Sequence, residues 1–144
     1  MPPPFVHELR VRYGECDPQG IVFNANYLLY FDVAFTELWR AAVGPWQDMV
    51  AKGFDAVVAD ARLSFRGPAR FDDQLELHAR IARLGGSAIT TAIDVVRDEE
   101  LLVAGELRHV CVTTASLAED KPAKTSIPDW IRQGLLAFAA DGVA

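Results

Sequence analysis

One loop concentrates the residue types that could do chemistry. In GECDPQG, Cys16 and Asp17 stand between Gly14 and Gly20, just ahead of a helical pattern. Asp17 precedes Pro18, which pushes its backbone to extended geometry. On residue chemistry alone it is either an Asx-turn aspartate closing its own loop or a carboxylate free for nucleophilic or general-base work. Cys16 would need a neighbouring base and positive charge to act as a thiolate. Nothing beside it in sequence supplies these, so it reads as a small half-buried loop residue. His7, His78 and His109 fall in three separate strand patterns without metal-ligand spacing, and no metal site is expected. No Gly-rich nucleotide loop, nucleophile elbow or paired-histidine zinc motif is present.

Charged side chains form two further groups. Of 11 arginines, Arg62, Arg66, Arg70, Arg80 and Arg83 fall between positions 62 and 83. Their planar forks suit phosphate oxygens, or they make salt bridges on a solvated strand face. Asp60, Arg62 and Ser64 form a polar row on one strand face. Asp32 and Glu37 lie on the helix.

These residues are positioned by elements readable from periodicity. Residues 5–13 alternate, with Phe5, His7, Leu9, Val11 and Tyr13 on one face. Residues 27–42 change to a helical stripe of Tyr27, Leu28, Phe31, Ala34, Phe35, Leu38, Trp39 and Ala42. Asn24 or Asn26 is the expected cap, and Gly44-Pro45 the stop. A short helix near 45–51 follows. Strands are expected at 56–66, 73–84, 87–97 and 101–115, the last four forming a meander. In the first of these, Val57, Ala59, Ala61, Leu63 and Phe65 share a face. A final helix from 128 to about 140 places Trp130, Ile131, Leu135 and Phe138 on one side. The order β-α-β-β-β-β-α excludes a doubly wound fold and points to α+β, an antiparallel sheet curled around one long apolar helix. Residues 1–117 read as the main domain, and 118–144 as a linker and helix of the same domain.

The chain has 144 residues, a net charge of −6 and 51% hydrophobic residues. That suits one globular domain. An acidic surface argues against nucleic acid and anionic membranes as partners. No apolar run approaches the roughly 20 residues of a membrane helix. The start, MPPPFVHELR, lacks the pattern of a signal peptide, and the two cysteines form no disulfide framework. A reducing, cytoplasmic setting is therefore expected.

The stretch RYGECDPQGIVFNANYLLYFD resembles the signature of hot-dog-fold acyl-CoA thioesterases, in particular the 4-hydroxybenzoyl-CoA thioesterase family and its bacterial short-chain relatives. Asp17, Gly20, Ile21, Val22, Phe23, Asn26 and Tyr27 match its pattern in register. SFRGPARFDDQLEL is similar to the family's second-to-third strand connection. The resemblance covers about residues 5–115. It implies a five-stranded antiparallel sheet wrapped around a central helix. It also implies an acyl-CoA substrate, a catalytic Asp17, and an oxyanion hole made by the backbone N–H of Asn24, with Phe23 as a second donor. Gly20, Ile21, Val22, Phe23, Asn26, Tyr27, Asp32, Asp60, Arg62 and Ser64 become candidate substrate contacts. Arg66 and Arg70 become candidates for the coenzyme A phosphates. Coenzyme A enters as part of the substrate, and no separate cofactor is implied. An aromatic acyl group is favoured over short or medium aliphatic groups on coenzyme A or acyl carrier protein. An acyl-CoA binder without catalysis is the alternative of another class. The family pairs sheet edges into dimers that associate further into tetramers.

Overall fold

The computed structural model describes residues 4–143. Five strands form one antiparallel sheet: β1 (Phe5–Arg10), β2 (Phe54–Phe65), β3 (Gln74–Leu84), β4 (Ala88–Arg97) and β5 (Glu100–Thr113). Helix α1 (Asn24–Ala42) lies in the concave face, with the short helix α2 (Trp46–Ala51) after it and α3 (Asp129–Leu136) near the end. This is the hot-dog arrangement that the resemblance implies.

The long helix forms because its apolar residues recur at helical spacing and find the sheet. Tyr27, Tyr30, Phe31, Ala34, Phe35, Leu38 and Trp39 are buried along it. They pack with inward residues such as Leu75, Leu77, Ile93 and Leu107 in one core. Burying side chains of this size contributes about 1.5–3 kcal/mol each. Leu28 departs from the expected stripe: it is 44% exposed, and Tyr30 takes the inward place. Trp130 also departs from its expected face. It is partly exposed, and the Lys52 ammonium sits 4.3 Å from its ring centroid.

The strand order is β1-β3-β4-β5-β2, so β3, β4 and β5 form the meander while β2 pairs with β5 instead of β3. The expected four-strand meander is corrected in this respect. The reason is the connection 66–73, which leaves β2 at one edge and must reach β3 beside β1. It crosses the N-terminal end of α1 on the way. Val22 N–H donates to Ala69 C=O (2.8 Å), and Ala69 N–H donates to the Tyr27 hydroxyl (3.0 Å).

A second difference is an irregularity in β2 between Val58 and Asp60. One extra residue there reverses the alternation. Val58 pairs with the buried His109, while Ala61 pairs with Leu107 and Leu63 with Gly105. Val57 therefore leaves the face it was expected to share with Ala61 and Leu63.

The tail belongs structurally to the sheet. Ile81 N–H donates to Phe138 C=O and Ala140 N–H to Ile81 C=O, each at 2.9 Å. The tail thus continues the β3 edge where β1 ends, and Phe5 meets Phe138 edge to face. No described helix is long and apolar enough to cross a membrane.

Gly105 marks the tightest contact of sheet with helix. A Cβ there would collide with the Arg62 carbonyl oxygen and with the Phe31 ring. Gly105→Ala is expected to cost about 1–3 kcal/mol through overpacking, measured by urea unfolding. Gly86→Ala, where an added Cβ meets nothing within 4 Å, should stay within about 0.5 kcal/mol of the parent.

Candidate active site

The loop between β1 and α1 is built by short-range hydrogen bonds. Residues Tyr13–Glu15 make one 3-10 turn. Arg12 N–H donates to Glu15 Oε1 and Arg12 Nε–H to Glu15 Oε2, both at 2.9 Å. The Tyr30 hydroxyl, two turns into α1, donates to the same carboxylate at 2.8 Å. The Glu15 carbonyl accepts from Phe23 N–H at 3.0 Å and from Asn26 Nδ2–H at 2.8 Å. Glu15 therefore ties the loop to the first turns of the helix. Burial alone would raise its pKa, but the Arg12 guanidinium, the Arg12 N–H and the Tyr30 hydroxyl outweigh burial and hold it below the ordinary value. Burial, joined by the bond to Glu15, pushes the Tyr30 phenol well up.

Asp17 follows directly. Its N–H donates to Ile21 C=O and its C=O accepts from Gly20 N–H, each at 2.9 Å. Its Oδ1 accepts from Gln19 N–H at 2.8 Å. The Asx-turn reading thus holds for one carboxylate oxygen. Gly20 closes this turn at φ +80°, a backbone region that glycine enters at little cost. The half-buried Asp17 still lines a cleft of about 530 Å³ with Gln19, Ile21, Val22, Asn24, Tyr27, Phe65, Gly67 and Pro68.

The helix begins at Asn24, with Phe23 as its cap residue and no side chain capping it. This corrects the expected cap at Asn24 or Asn26. Asn26 turns toward Glu15, and the Phe23 N–H is already taken by the Glu15 carbonyl. Phe23 therefore cannot be a second donor to a ligand. The N–H of Asn24, at the first helical position, finds no backbone acceptor among the described residues. It stands at the positive end of the helix dipole, where negative charge is stabilised.

The other candidates divide by position. Ile21, Val22 and Tyr27 line the cleft, and Gly20 lines an adjoining one. Arg66 and Arg70 are exposed on the crossover beside Gly67 and Pro68, and neither makes an ion pair among the described residues. Asp32 is placed elsewhere, at two hollows between α1 and β2 that also hold Val58. Asp60, Arg62 and Ser64 pair with Arg108, Glu106 and Ala104. Since Gly105 and Leu107 face the helix, these three lie on the opposite face of the sheet, away from the Asp17 cleft. Within this chain, Asp32, Asp60, Arg62 and Ser64 are not brought to Asp17.

Sequence reasoning missed the residues that hold the cleft walls. Arg97 fixes the crossover by donating to Asp73 Oδ2 at 2.8 Å and to Pro68 C=O at 3.2 Å. Burial would raise the Asp73 pKa, but the Arg70 N–H and the Arg97 guanidinium outweigh it and hold it below its ordinary value. Glu15 and Tyr30 do the same work on the loop side. A polar residue inside an apolar helical stripe, as Tyr30 is, was the available signal. His109 is buried and stacked on Phe35 at 3.8 Å, and burial lowers its pKa to about 4. Among the described residues no group of three His, Cys, Asp or Glu could hold a metal ion.

Residues 19–104 match the family model described as the thioesterase superfamily. An Escherichia coli protein named acyl-CoA thioester hydrolase YbgC is 31% identical over 72% of this chain and 78% of its own. A Pseudomonas protein named 4-hydroxybenzoyl-CoA thioesterase is 32% identical over 50% of this chain and 53% of its own. The crystal structure of a hypothetical protein of Aquifex aeolicus superposes with a TM-score of 0.84 at 27% identity, covering 92% of this chain and 99% of that one.

Glu15 gives a pH-dependent prediction. A carboxylate whose pKa is depressed by folding contributes stability present in full above its unfolded value, here 4.5, and lost as pH falls through the folded value. Glu15→Gln is therefore expected to be about 1 kcal/mol less stable than the parent at pH 7. The gap in melting temperature should narrow as pH falls below about 4.5, where the parent loses its advantage.

Proposed function

Because this chain belongs to the thioesterase superfamily, we propose that it hydrolyses an acyl-coenzyme A thioester at the cleft shared by Asp17 and Asn24. The observation that carries this reading is their common wall: a carboxylate with one oxygen held in its own turn, and an uncommitted N–H at a helix N-terminus. The thioester carbonyl oxygen sits at the Asn24 N–H, which stabilises the oxyanion as charge develops. One such donor is typically worth about 10²–10³ in rate. Asp17 attacks the acyl carbon or takes a proton from the attacking water. If Asp17 attacks, the carbon–sulfur bond breaks to give a mixed anhydride and thiolate, and water then cleaves the anhydride and frees Asp17. If Asp17 takes the proton, the water oxygen bonds the acyl carbon as the carbon–sulfur bond breaks. Both routes end in free acid and coenzyme A. A thiol of pKa about 8.5 departs without a strong general acid, so no triad is needed.

Tyr27 and Phe65, in edge contact at 5.7 Å between centroids, give the cleft its aromatic wall. They support an aromatic acyl group as the preferred substrate. Ile21, Val22 and Pro68 on the remaining wall support a short or medium aliphatic group as the second reading. Arg66 and Arg70 are the proposed phosphate contacts, reached over the crossover. Thiol release from benzoyl-CoA, 4-hydroxybenzoyl-CoA, acetyl-CoA and hexanoyl-CoA tests both readings. The aromatic esters should lead in kcat/KM, not only in KM. A lead for hexanoyl-CoA would transfer the assignment to aliphatic substrates, and no thiol from any ester would refute the hydrolase reading.

The working unit proposed is a dimer, with tetramers built from it. β2 is an open edge next to exposed apolar residues: Val58 on β2, and Leu28 and Leu29 on α1. Such an edge is normally covered. Sedimentation at micromolar concentration should give a mass of at least twice 15.8 kDa. Val58→Lys with Leu29→Lys should shift it toward the monomer, whereas a monomeric parent would contradict the dimer.

A further inference from the structure

Two aromatic rings stand in the open beside Asp17. Tyr13 is 72% exposed and Phe71 is 58% exposed. Their centroids lie 5.7 Å apart with the planes tilted by 46°. They line a second cleft, of about 570 Å³, with Cys16, Asp17, Pro18 and Gly20. Asp17 is common to this cleft and the first, but Asn24 is not. We propose that Tyr13 and Phe71 form the stacking site for the adenine ring of the substrate's coenzyme A nucleotide. The assignment rests on the acyl-CoA reading above and deepens it.

Both rings are held in place by backbone that has no other evident need to display them. Tyr13 opens the turn locked by Arg12 and Glu15. Phe71 sits in a turn closed by Asp73 N–H on Arg70 C=O at 3.1 Å and by Arg70 N–H on Asp73 Oδ2 at 2.8 Å. Asp72, next in sequence, has φ +71°, a conformation that a non-glycine residue adopts at a cost. The two loops are joined by Val11 N–H on Asp73 C=O (2.9 Å) and Asp72 N–H on Val11 C=O (3.0 Å). The Arg10 guanidinium adds a bond to Asp72 C=O at 2.7 Å. The rings are thus presented on a stiff platform, which lowers the ordering cost of binding.

The charges around them favour a nucleotide. Apart from Asp17, which lines the cleft itself, the acids on these loops are matched: Glu15 by Arg12, Asp72 by Arg10 and Asp73 by Arg97. Arg70, adjacent to Phe71, makes no ion pair among the described residues. Exposed rings next to the Arg70 fork suit a base with phosphates attached. The thioester carbonyl needs Asn24 and therefore lies in the first cleft. The second cleft receives a more distant part of the same molecule, and adenine is the flat group that every acyl-CoA carries.

Titration calorimetry with 3′-phospho-ADP tests the site without requiring hydrolysis. The parent should bind it, Tyr13→Ala with Phe71→Ala should weaken binding about tenfold or more, and Tyr13→Phe should bind like the parent. In parallel, the kcat/KM ratio of benzoyl-CoA to benzoyl-pantetheine should fall about tenfold in the double variant, since only the first ester carries the nucleotide. A parent that fails to bind 3′-phospho-ADP overturns the proposal. So do equal losses on both esters, which would place the acyl ring against Tyr13 and Phe71. Ring-dependent binding of 3′-phospho-ADP by a protein that hydrolyses no ester would uphold the nucleotide site and refute the hydrolase reading instead.

Discussion

Glu15 is a single residue on which the loop and the helix both depend. Its carboxylate collects Arg12 and the Tyr30 hydroxyl, and its carbonyl collects the Phe23 N–H and the Asn26 side chain. A half-buried carboxylate is costly unless every oxygen is engaged. Here that requirement fixes a geometry. With Phe23 N–H occupied, the first uncommitted donor of α1 is Asn24. With residues 12–15 locked, Asp17 emerges at a set distance from that donor.

The same logic operates on the opposite wall. β2 pairs with β5, so the chain must cross the end of α1 to reach β3. The crossing brings Gly67, Pro68 and Ala69 over Tyr27, and Arg97 and Asp73 hold it there. A non-local strand pairing thus creates the cleft, and a local turn supplies its carboxylate. Gly105 lets the sheet approach Phe31 closely enough for the helix to be wrapped. The open β2 edge is the consequence of ending the sheet at the strand that starts the crossing.

Much of this was legible in the chain. Alternation at Phe5–Leu9 and at Leu75–Ile81 marked strands, and the spacing from Phe31 to Trp39 marked the helix. The motif from Asp17 to Tyr27 pointed to the candidate site through its resemblance to a family. What escaped depended on partners distant in sequence. The irregularity after Val58 reverses a face only when β5 is in register beside it. Tyr30 falls on the buried side by helical spacing with Tyr27, Phe31 and Ala34, but the partner of its hydroxyl, Glu15, lies in the preceding loop and escaped. The polar row of Asp60, Arg62 and Ser64 alternates as expected, but sequence does not say which face of the sheet meets the helix.

The central claim is that thioester cleavage occurs at Asp17. The most direct measurement is thiol release by the parent, Asp17→Asn and Asp32→Asn side by side, on the best ester of the acyl-CoA series. Removing a catalytic acid-base group should lower turnover by about 10² or more. Asp17→Asn should show that loss with little change in melting temperature, while Asp32→Asn keeps most of the activity. Equal turnover by Asp17→Asn and the parent, or the large loss appearing in Asp32→Asn alone, would contradict the account and move the chemistry onto the helix.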